Sequence, residues 1–360
     1  MECPKSWPEP VVPVQSLTES GATLVPARYV KPPSERPSLD TLDQRRGISC
    51  IPVIDLAGLT RGPAERAAAE RLISDACRDW GFFQVENHGV SLDLVERMRA
   101  DWREFFDQPT EAKTAYANSP ATYEGYGSRL GVDKGAILDW GDYFFLVFTP
   151  QTLRNRDKWP AFPATCRKTT EEYGREVVRL CGALMEALST SLGLGTGALQ
   201  RAFGGDDGVG GNLRVNFYPR CPQSDLTLGL SSHSDPGGIT ILLADERVKG
   251  LQVRKDGNWV TVQPRPGNFI VNIGDQLQLL SNGVYKSVEH RVVVNPVEER
   301  ISFAFFYNPR GDLKLGPLPE LVMPDRPALY QPMTFDEYRK YIRLNGPRGK
   351  LQLESIATNI

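Results

Sequence analysis

Leu251-Gln252-Val253-Arg254-Lys255-Asp256-Gly257-Asn258-Trp259-Val260-Thr261-Val262 decides the fold class. Two short runs rich in β-formers flank Asp256-Gly257, a dipeptide suited to the positive-φ positions of a tight hairpin turn. Outward from this hairpin the same grammar continues. Upstream it starts at Leu213. Downstream, residues 269–273, 276–280, 287–294 and 301–307 read as further short strands, punctuated by Gly and Pro. Many short strands of this kind predict a jelly-roll barrel.

The N-terminal half reads differently. Residues 51–56 and 82–86 are strand-like. Between them, 63–80 has helical periodicity, with Ala67, Leu72, Ile73 and Ala76 expected toward a core. Ser91 is placed to cap a helix running through Phe106, and Pro109 follows its end. Residues 120–160 look irregular and aromatic, with Tyr123, Tyr126, Trp140, Tyr143, Phe144 and Phe145 suited either to a pocket wall or to plain core packing. The longest expected helix spans 169–194, with Val177, Val178, Leu180, Leu184 and Leu188 as a core stripe. The expected division is an extended, proline-rich arm over 1–49 with room for disorder in its first dozen residues, a mixed α/β region over 50–165, a long helix and connection over 166–210, the barrel core over 211–312 and a C-terminal segment over 313–360. The fold class is therefore α+β, a jelly-roll core flanked by helices.

Composition excludes several classes. The 360 residues are 40% apolar and 24% charged, ordinary for a soluble globule. A net charge of −2 gives no reason to expect nucleic acid or an anionic membrane as partner. No apolar run approaches the ~18 residues of a membrane span. Met1-Glu2-Cys3-Pro4-Lys5 lacks the basic-then-apolar pattern of a signal peptide. Six cysteines (Cys3, Cys50, Cys77, Cys166, Cys181, Cys221) lack paired spacing and read as reduced thiols of a cytoplasmic protein.

The chemistry lies in two of the three histidines. Ser232-His233-Ser234-Asp235-Pro236 gives His-x-Asp, and a two-residue step puts both side chains on one side of an extended segment. Val288-Glu289-His290-Arg291-Val292 follows. Two imidazoles and one carboxylate, with the remaining positions open, make the facial triad of non-haem Fe(II) oxygenases. Ten residues after His290 stands Arg300-Ile301-Ser302, an arginine fork beside a hydroxyl that suits a carboxylate such as the far end of 2-oxoglutarate. His88, far upstream, reads as structural. A His2Asp zinc hydrolase is the competing chemistry, and Arg300-x-Ser302 argues against it.

The ordered set Asn212 to Pro219, His233-Ser234-Asp235, Leu251-Gln252-Val253, Asn272-Ile273-Gly274-Asp275, Ser287 to Arg291 and Arg300-Ile301-Ser302 resembles the plant 2-oxoglutarate-dependent dioxygenases. Ile51 to Leu56 and Trp80 to Gly89 resemble that family's N-terminal region, so the likeness covers roughly residues 15 to 350. The resemblance implies a double-stranded β-helix with Fe(II) on His233, Asp235 and His290. It implies 2-oxoglutarate and O2 as cosubstrates, ascorbate as reductant, and Arg300, Ser302, Tyr218 and Asn216 around the cosubstrate.

For the substrate, Met333 to Arg343 is the informative segment. Thr334 and Glu337 form a capping box, so Phe335, Arg339 and Arg343 share one helix face. An aromatic and two arginines could grip a small acid; the alternative is a solvated face with Asp336–Lys340 pairing. Together with Val14 to Leu17, Tyr29 to Pro33 and Glu35 to Pro37, this stripe resembles the jasmonate-inducible oxygenases, which hydroxylate jasmonic acid at carbon 12. The resemblance implies that Arg214, Arg339 and Arg343 bind the substrate carboxylate, with Phe306 and Phe335 as aromatic partners. Apart from the resemblance, the expectation is a cytoplasmic monomer or weak homodimer. A flavonoid oxidase of the flavonol synthase or anthocyanidin synthase type is the alternative within the fold. A non-catalytic hormone-binding protein is a further one, disfavoured by the intact triad.

Overall fold

The computed structural model describes residues 4–37 and 51–358. The arm is not wholly extended. It carries helix α1 (Val14–Glu19), whose first two backbone N–H groups donate to the two oxygens of buried Asp142, each at 2.8 Å. Nor are its first dozen residues without contacts: Trp7 meets the edge of Tyr123, and Glu9 accepts from Arg28 and Arg129. Cys3, Cys50 and the rest of the arm lie outside the described residues.

Strand β1 (Val53–Asp55) leads through α2 (Gly58–Arg61) and α3 (Pro63–Asp79) to β2 (Phe82–Glu86), which pairs with β1 in parallel. Helix α3 buries Ala69, Ile73, Ala76 and Cys77. Ala67 and Leu72, expected in that stripe, face solvent, Leu72 at 55% exposure. The run Ala67-Ala68-Ala69 offers several equivalent apolar faces, so periodicity alone did not fix the phase. Helix α4 (Leu92–Phe106) starts after Ser91 as expected, but the serine side chain makes no capping bond. Short α5 (Thr110–Thr114) follows.

The aromatic stretch expected to be irregular contains two strands, β3 (Gly125–Gly127) and β4 (Asp142–Thr149). Its side chains divide by alternation. Phe144, Leu146 and Phe148 enter the main core, while Tyr143 and Phe145 face the cavity described below. Helix α6 (Cys166–Ser191), the longest, and α7 (Ala198–Ala202) precede the barrel strands.

These strands are β5 (Gly210–Tyr218), β6 (Leu230–His233), β7 (Ile239–Leu243), β8 (Leu251–Lys255), β9 (Asn258–Thr261), β10 (Phe269–Ile273), β11 (His290–Val292) and β12 (Arg300–Asn308). Between β10 and β11 lies helix α8 (Asp275–Leu280), where a strand over 276–280 was expected. Gln-Leu-Gln-Leu looks alternating, yet Gln276, Leu277, Leu279 and Leu280 are all buried, so the pattern marks no solvent face. A two-stranded pair, β13 (Lys314–Leu315) with β14 (Met333–Thr334), precedes α9 (Phe335–Asn345) and α10 (Leu351–Ser355).

The major sheet has the order β1-β2-β10-β7-β12-β5-β4-β3, and the minor sheet β6-β11-β8-β9. Strands from the N-terminal half thus form both edges of the barrel's own major sheet. The predicted β8–β9 hairpin is present, with Asp256 at φ 48° and Gly257 at φ 79° filling the two positive-φ turn positions. One face of the major sheet packs on α3, α4 and α6. Leu213, Val215 and Phe217 of β5, Ile239, Ile241 and Leu243 of β7, and Ile301, Phe303 and Phe305 of β12 all join that core. The period of two then sends Asn212, Arg214, Asn216 and Tyr218, together with Arg300, Ser302 and Phe306, to the opposite face. Among the described residues no helix is long and apolar enough to cross a membrane.

Candidate active site

The iron-type cluster forms where the minor sheet ends. His233 closes β6 and His290 opens β11, and the two are cross-strand partners with ring centroids 4.2 Å apart. Asp235 follows two residues after β6. Both imidazole Nε2 atoms lie 3.6 Å from its Oδ1. Their Nδ1 atoms are engaged elsewhere, His233 with Ser231 O at 2.8 Å and His290 with Val288 O at 3.1 Å. These bonds fix each ring's orientation and leave Nε2 to a ligand. Asp235 Oδ2 accepts from Thr240 Oγ1 at 2.5 Å and Asn272 Nδ2 at 2.8 Å, so Oδ1 is the oxygen left to the centre.

The electrostatics match. Burial first, then the neighbouring His290, press the His233 pKa down to about 4, so this ring is neutral at neutral pH. Burial alone would raise the Asp235 carboxyl, but His290 and His233, with Asn272 and Thr240, hold it below its usual range. Two imidazole nitrogens beside a carboxylate form the donor set of a two-histidine, one-carboxylate iron site, and these residues could hold Fe(II).

The turn after β10 supports this cluster. Gly274 N donates to Gly238 O at 2.6 Å, Asp275 N to Asp235 O at 2.8 Å, and Gln276 N to Gly237 O at 2.9 Å. The approach is so close that a Cβ on Gly274 would sit 2.3 Å from Gly237 O. This is why a strand cannot continue through 276 and why glycine occupies 274. The Asp275 carboxyl is raised by burial, although the hydroxyls of Ser287, Tyr338 and Ser234 all favour its ionised form.

On the major sheet, Arg300 faces Tyr218 across β12–β5, and Ser302 faces Asn216. Arg300 is only 3% exposed, and no carboxylate among the described residues pairs with it. Its Nη1 reaches Ser302 Oγ at 3.3 Å, its guanidinium lies 5.4 Å from the Tyr218 ring centre, and its Nε has no partner. Burial lowers its pKa, since a desolvated cation is costly without an anion. Asn216 Oδ1, next on the same face, is likewise buried and unpartnered. A buried fork with an open Nε beside a hydroxyl is a fitting receptor for a carboxylate. Gly250 makes room for it, because a Cβ there would stand 3.0 Å from Arg300 Cδ.

A cavity opens over His233 and Asp235. Arg214, Phe306, Phe335, Arg339 and Arg343, all singled out from sequence, line it together. The Arg214 guanidinium lies 4.1 Å from the Tyr143 ring centre, and its Nε has no partner. The α9 stripe is as expected, and its capping box is formed in full by Thr334 and Glu337. The side-chain pairing on that face differs from the solvated alternative: Asp336 pairs with Arg339 at 2.6 Å, one residue before Lys340. His88 stays structural, bonded through its ring to Gly267 O and Val90 N.

Three contributors escaped sequence reasoning: Thr240 and Asn272, which orient Asp235, and Ile342 in the cavity wall. Tyr123, Tyr143 and Phe145, offered as pocket wall or core, complete that wall. Residues 142–149 are apolar on both faces, so the sequence does not separate Tyr143 and Phe145, on the cavity, from Phe144, in the core. Nothing local marks Thr240, which meets Asp235 only after the chain turns at Gly237-Gly238.

Comparison with known proteins fits this geometry. Residues 210–309 match the model of the 2OG-Fe(II) oxygenase superfamily, and residues 51–162 match that of the non-haem dioxygenase in morphine synthesis N-terminal region. Jasmonate-induced oxygenase 4 of Arabidopsis thaliana is 58% identical, over 97% of this chain and 98% of the relative. This chain belongs to the 2OG-Fe(II) oxygenase superfamily. Flavanone 3-dioxygenase 2 of Oryza sativa subsp. japonica is 42% identical over 91% of this chain and 92% of its own. Among solved structures, JOX2 in complex with 2OG, Fe and JA superimposes with a TM-score of 0.91 at 56% identity, covering 98% of this chain and 99% of the other. The jelly-roll core flanked by helices is the family's architecture. The chain is an oxidoreductase whose cofactors are Fe(II) and 2-oxoglutarate.

Proposed function

We propose that this enzyme hydroxylates jasmonic acid at carbon 12, lowering the active hormone and damping defence signalling. The observation that carries the reading is the gathering of Arg214, Arg339 and Arg343 with Phe306 and Phe335 around the cavity over His233 and Asp235. Three guanidinium groups in a largely apolar cavity call for an anion with an apolar body. The relatives named for jasmonate, and a solved structure holding JA with Fe and 2OG, support the same choice.

In this reading His233, Asp235 and His290 hold Fe(II), and Arg300, Ser302, Tyr218 and Asn216 hold 2-oxoglutarate by its distal carboxylate. When bound, the iron with 2-oxoglutarate and O2 supplies the oxidant, and the cosubstrate leaves as succinate and carbon dioxide. The protein contributes position. The arginines fix the substrate's carboxylate, the phenylalanines fix its body, and together they present one C–H bond to the centre while keeping water out. The enzyme works in the cytosol, as a monomer or weak homodimer, without nucleic-acid or membrane partners; the described cysteines, all buried and unbridged, accord with a reducing compartment.

Incubation of jasmonic acid with enzyme, Fe(II), ascorbate and 2-oxoglutarate tests the reading. Stoichiometric 12-hydroxyjasmonate is the expected product. No consumption of jasmonic acid, with turnover of a flavanone or dihydroflavonol instead, would return the flavonoid reading to first place.

A further inference from the structure

Asp275 joins three pieces of the site that the sequence keeps far apart. Its Oδ2 accepts from Tyr338 OH at 2.7 Å and from Ser234 Oγ at 3.1 Å. Its Oδ1 accepts from Ser287 Oγ at 2.7 Å. Ser234 stands between His233 and Asp235, and Ser287 lies three residues before His290. Tyr338 is the fourth residue of α9, between Phe335 and Arg339. All four residues are buried, Tyr338 completely. One carboxylate therefore links both iron-ligand segments to the helix that carries the cavity's arginines.

A carboxylate in the first turn of α8 has a simpler possible duty, capping that helix. It does not perform it: its two oxygens accept from the hydroxyls of Ser234, Tyr338 and Ser287, all outside that helix. Packing alone would favour an apolar residue, since a buried carboxylate is costly unless its hydrogen bonds are complete. What three directed hydrogen bonds add over an apolar plug is geometric definition. Helix α9 has other ties, one of them at the same residue, where Gln352 Nε2 donates to Tyr338 O. The capping box holds its start, and beyond its C-terminus Gly349 exchanges backbone bonds with Ser232 and Ser234. The Tyr338 hydroxyl supplies the side-chain tie to the iron-ligand segments, next to Arg339 in the chain.

We propose that Asp275 and Tyr338 are a positioning pair that fixes α9 against the iron-ligand segments and so sets which substrate carbon meets the oxidant. The inference rests on the reading of α9 as the wall that binds the substrate. Adjacent carbons of an aliphatic chain are only ~1.5 Å apart. Slack of under one bond length in α9 is therefore enough to present the wrong C–H.

Tyr338→Phe tests it, because the ring stays and only the donor goes. In the full-length iron-loaded enzyme, jasmonic acid-driven 2-oxoglutarate consumption and hydroxylated product are measured together. The KM for 2-oxoglutarate should not move. Product formed per 2-oxoglutarate consumed should fall on the order of tenfold, short of the ~10²-fold cost of a full 1 Å misplacement. Hydroxylation should spread to carbons next to the native position. In the metal-free protein, amide hydrogen exchange should quicken across residues 335–345 and stay unchanged across 166–191. Ser287→Ala, which removes a donor from the other oxygen, should uncouple to a smaller degree and serves if Tyr338→Phe does not fold. Native coupling with a single product in either folded variant overturns the proposal. If jasmonic acid fails to stimulate 2-oxoglutarate consumption even in the parent enzyme, the substrate reading fails by itself. The exchange measurement still decides the tie: identical exchange over 335–345 in variant and parent refutes it.

Discussion

His290, Arg300 and Ser302 sit on strands whose register is fixed on both flanks, whereas Phe335, Arg339 and Arg343 ride on a helix added after the barrel closes. His290 pairs with His233 on one side and Val253 on the other, and β12 runs between β5 and β7. A one-residue slip there would turn every ligand out of the site. Arg300 is 3% exposed, while the Arg339 side chain is 36% exposed and shares its charge with Asp336. The first region is set by strand pairing. The second depends on α9, on the aromatic strand β4 and on the Asp275 carboxylate, through which it meets the first. Relatives named for jasmonate and for flavanone share this family at 58% and 42% identity to the chain.

The contrast can be broken most severely at the metal. His233→Ala, Asp235→Ala or His290→Ala should each abolish turnover and lose Fe(II) on gel filtration, because two remaining ligands hold the ion poorly. Near-native rates at modest iron concentration would remove that residue from the ligand set. Next comes Arg300→Ala, which should weaken 2-oxoglutarate by on the order of 2–5 kcal/mol while leaving jasmonic acid affinity almost intact. Calorimetric titration with each ligand separates the two effects, and an unchanged 2-oxoglutarate affinity would place the carboxylate elsewhere.

On the other side of the comparison, Arg339→Ala or Arg343→Ala should cost on the order of 1.5–3 kcal/mol in jasmonic acid binding. Substrate-independent decay of 2-oxoglutarate should survive. Loss of both activities together would show that the regions are not separable. The smallest effect is at the cap: Thr334→Ala should destabilise α9 by about 1 kcal/mol and raise the KM for jasmonic acid modestly. Ser91→Ala is its control. That side chain makes no capping bond, so its thermal shift should be smaller.

Legibility from sequence follows the same divide. The hairpin at Asp256-Gly257, the His-x-Asp step and the Arg-x-Ser strand are short-range patterns, and each is found where spacing put it. The α9 stripe was legible too, because a capping box and a four-residue repeat are local. What sequence could not show was long-range partnership. Thr240 and Asn272 bind Asp235 from two other strands, and the Asp275 carboxylate collects hydroxyls from three segments. Local pattern also misled. Gln276 to Leu280 alternates like a strand but is helical because Gly274 to Gln276 dock on the backbone after Asp235. The stripe of α3 was misphased among near-identical alanines. Residues 142–149, so apolar on both faces that alternation was hidden, form a strand.

The central claim is that the substrate side of the site is built around a carboxylate, independently of the iron side. The direct measurement is turnover of jasmonic acid against methyl jasmonate by the native enzyme, with the basal decay of 2-oxoglutarate followed in parallel. The free acid should be hydroxylated and its methyl ester should be a much poorer substrate, with basal 2-oxoglutarate decay identical in both mixtures. Equal turnover of acid and ester would contradict the account, since three arginines would then be contributing nothing to recognition.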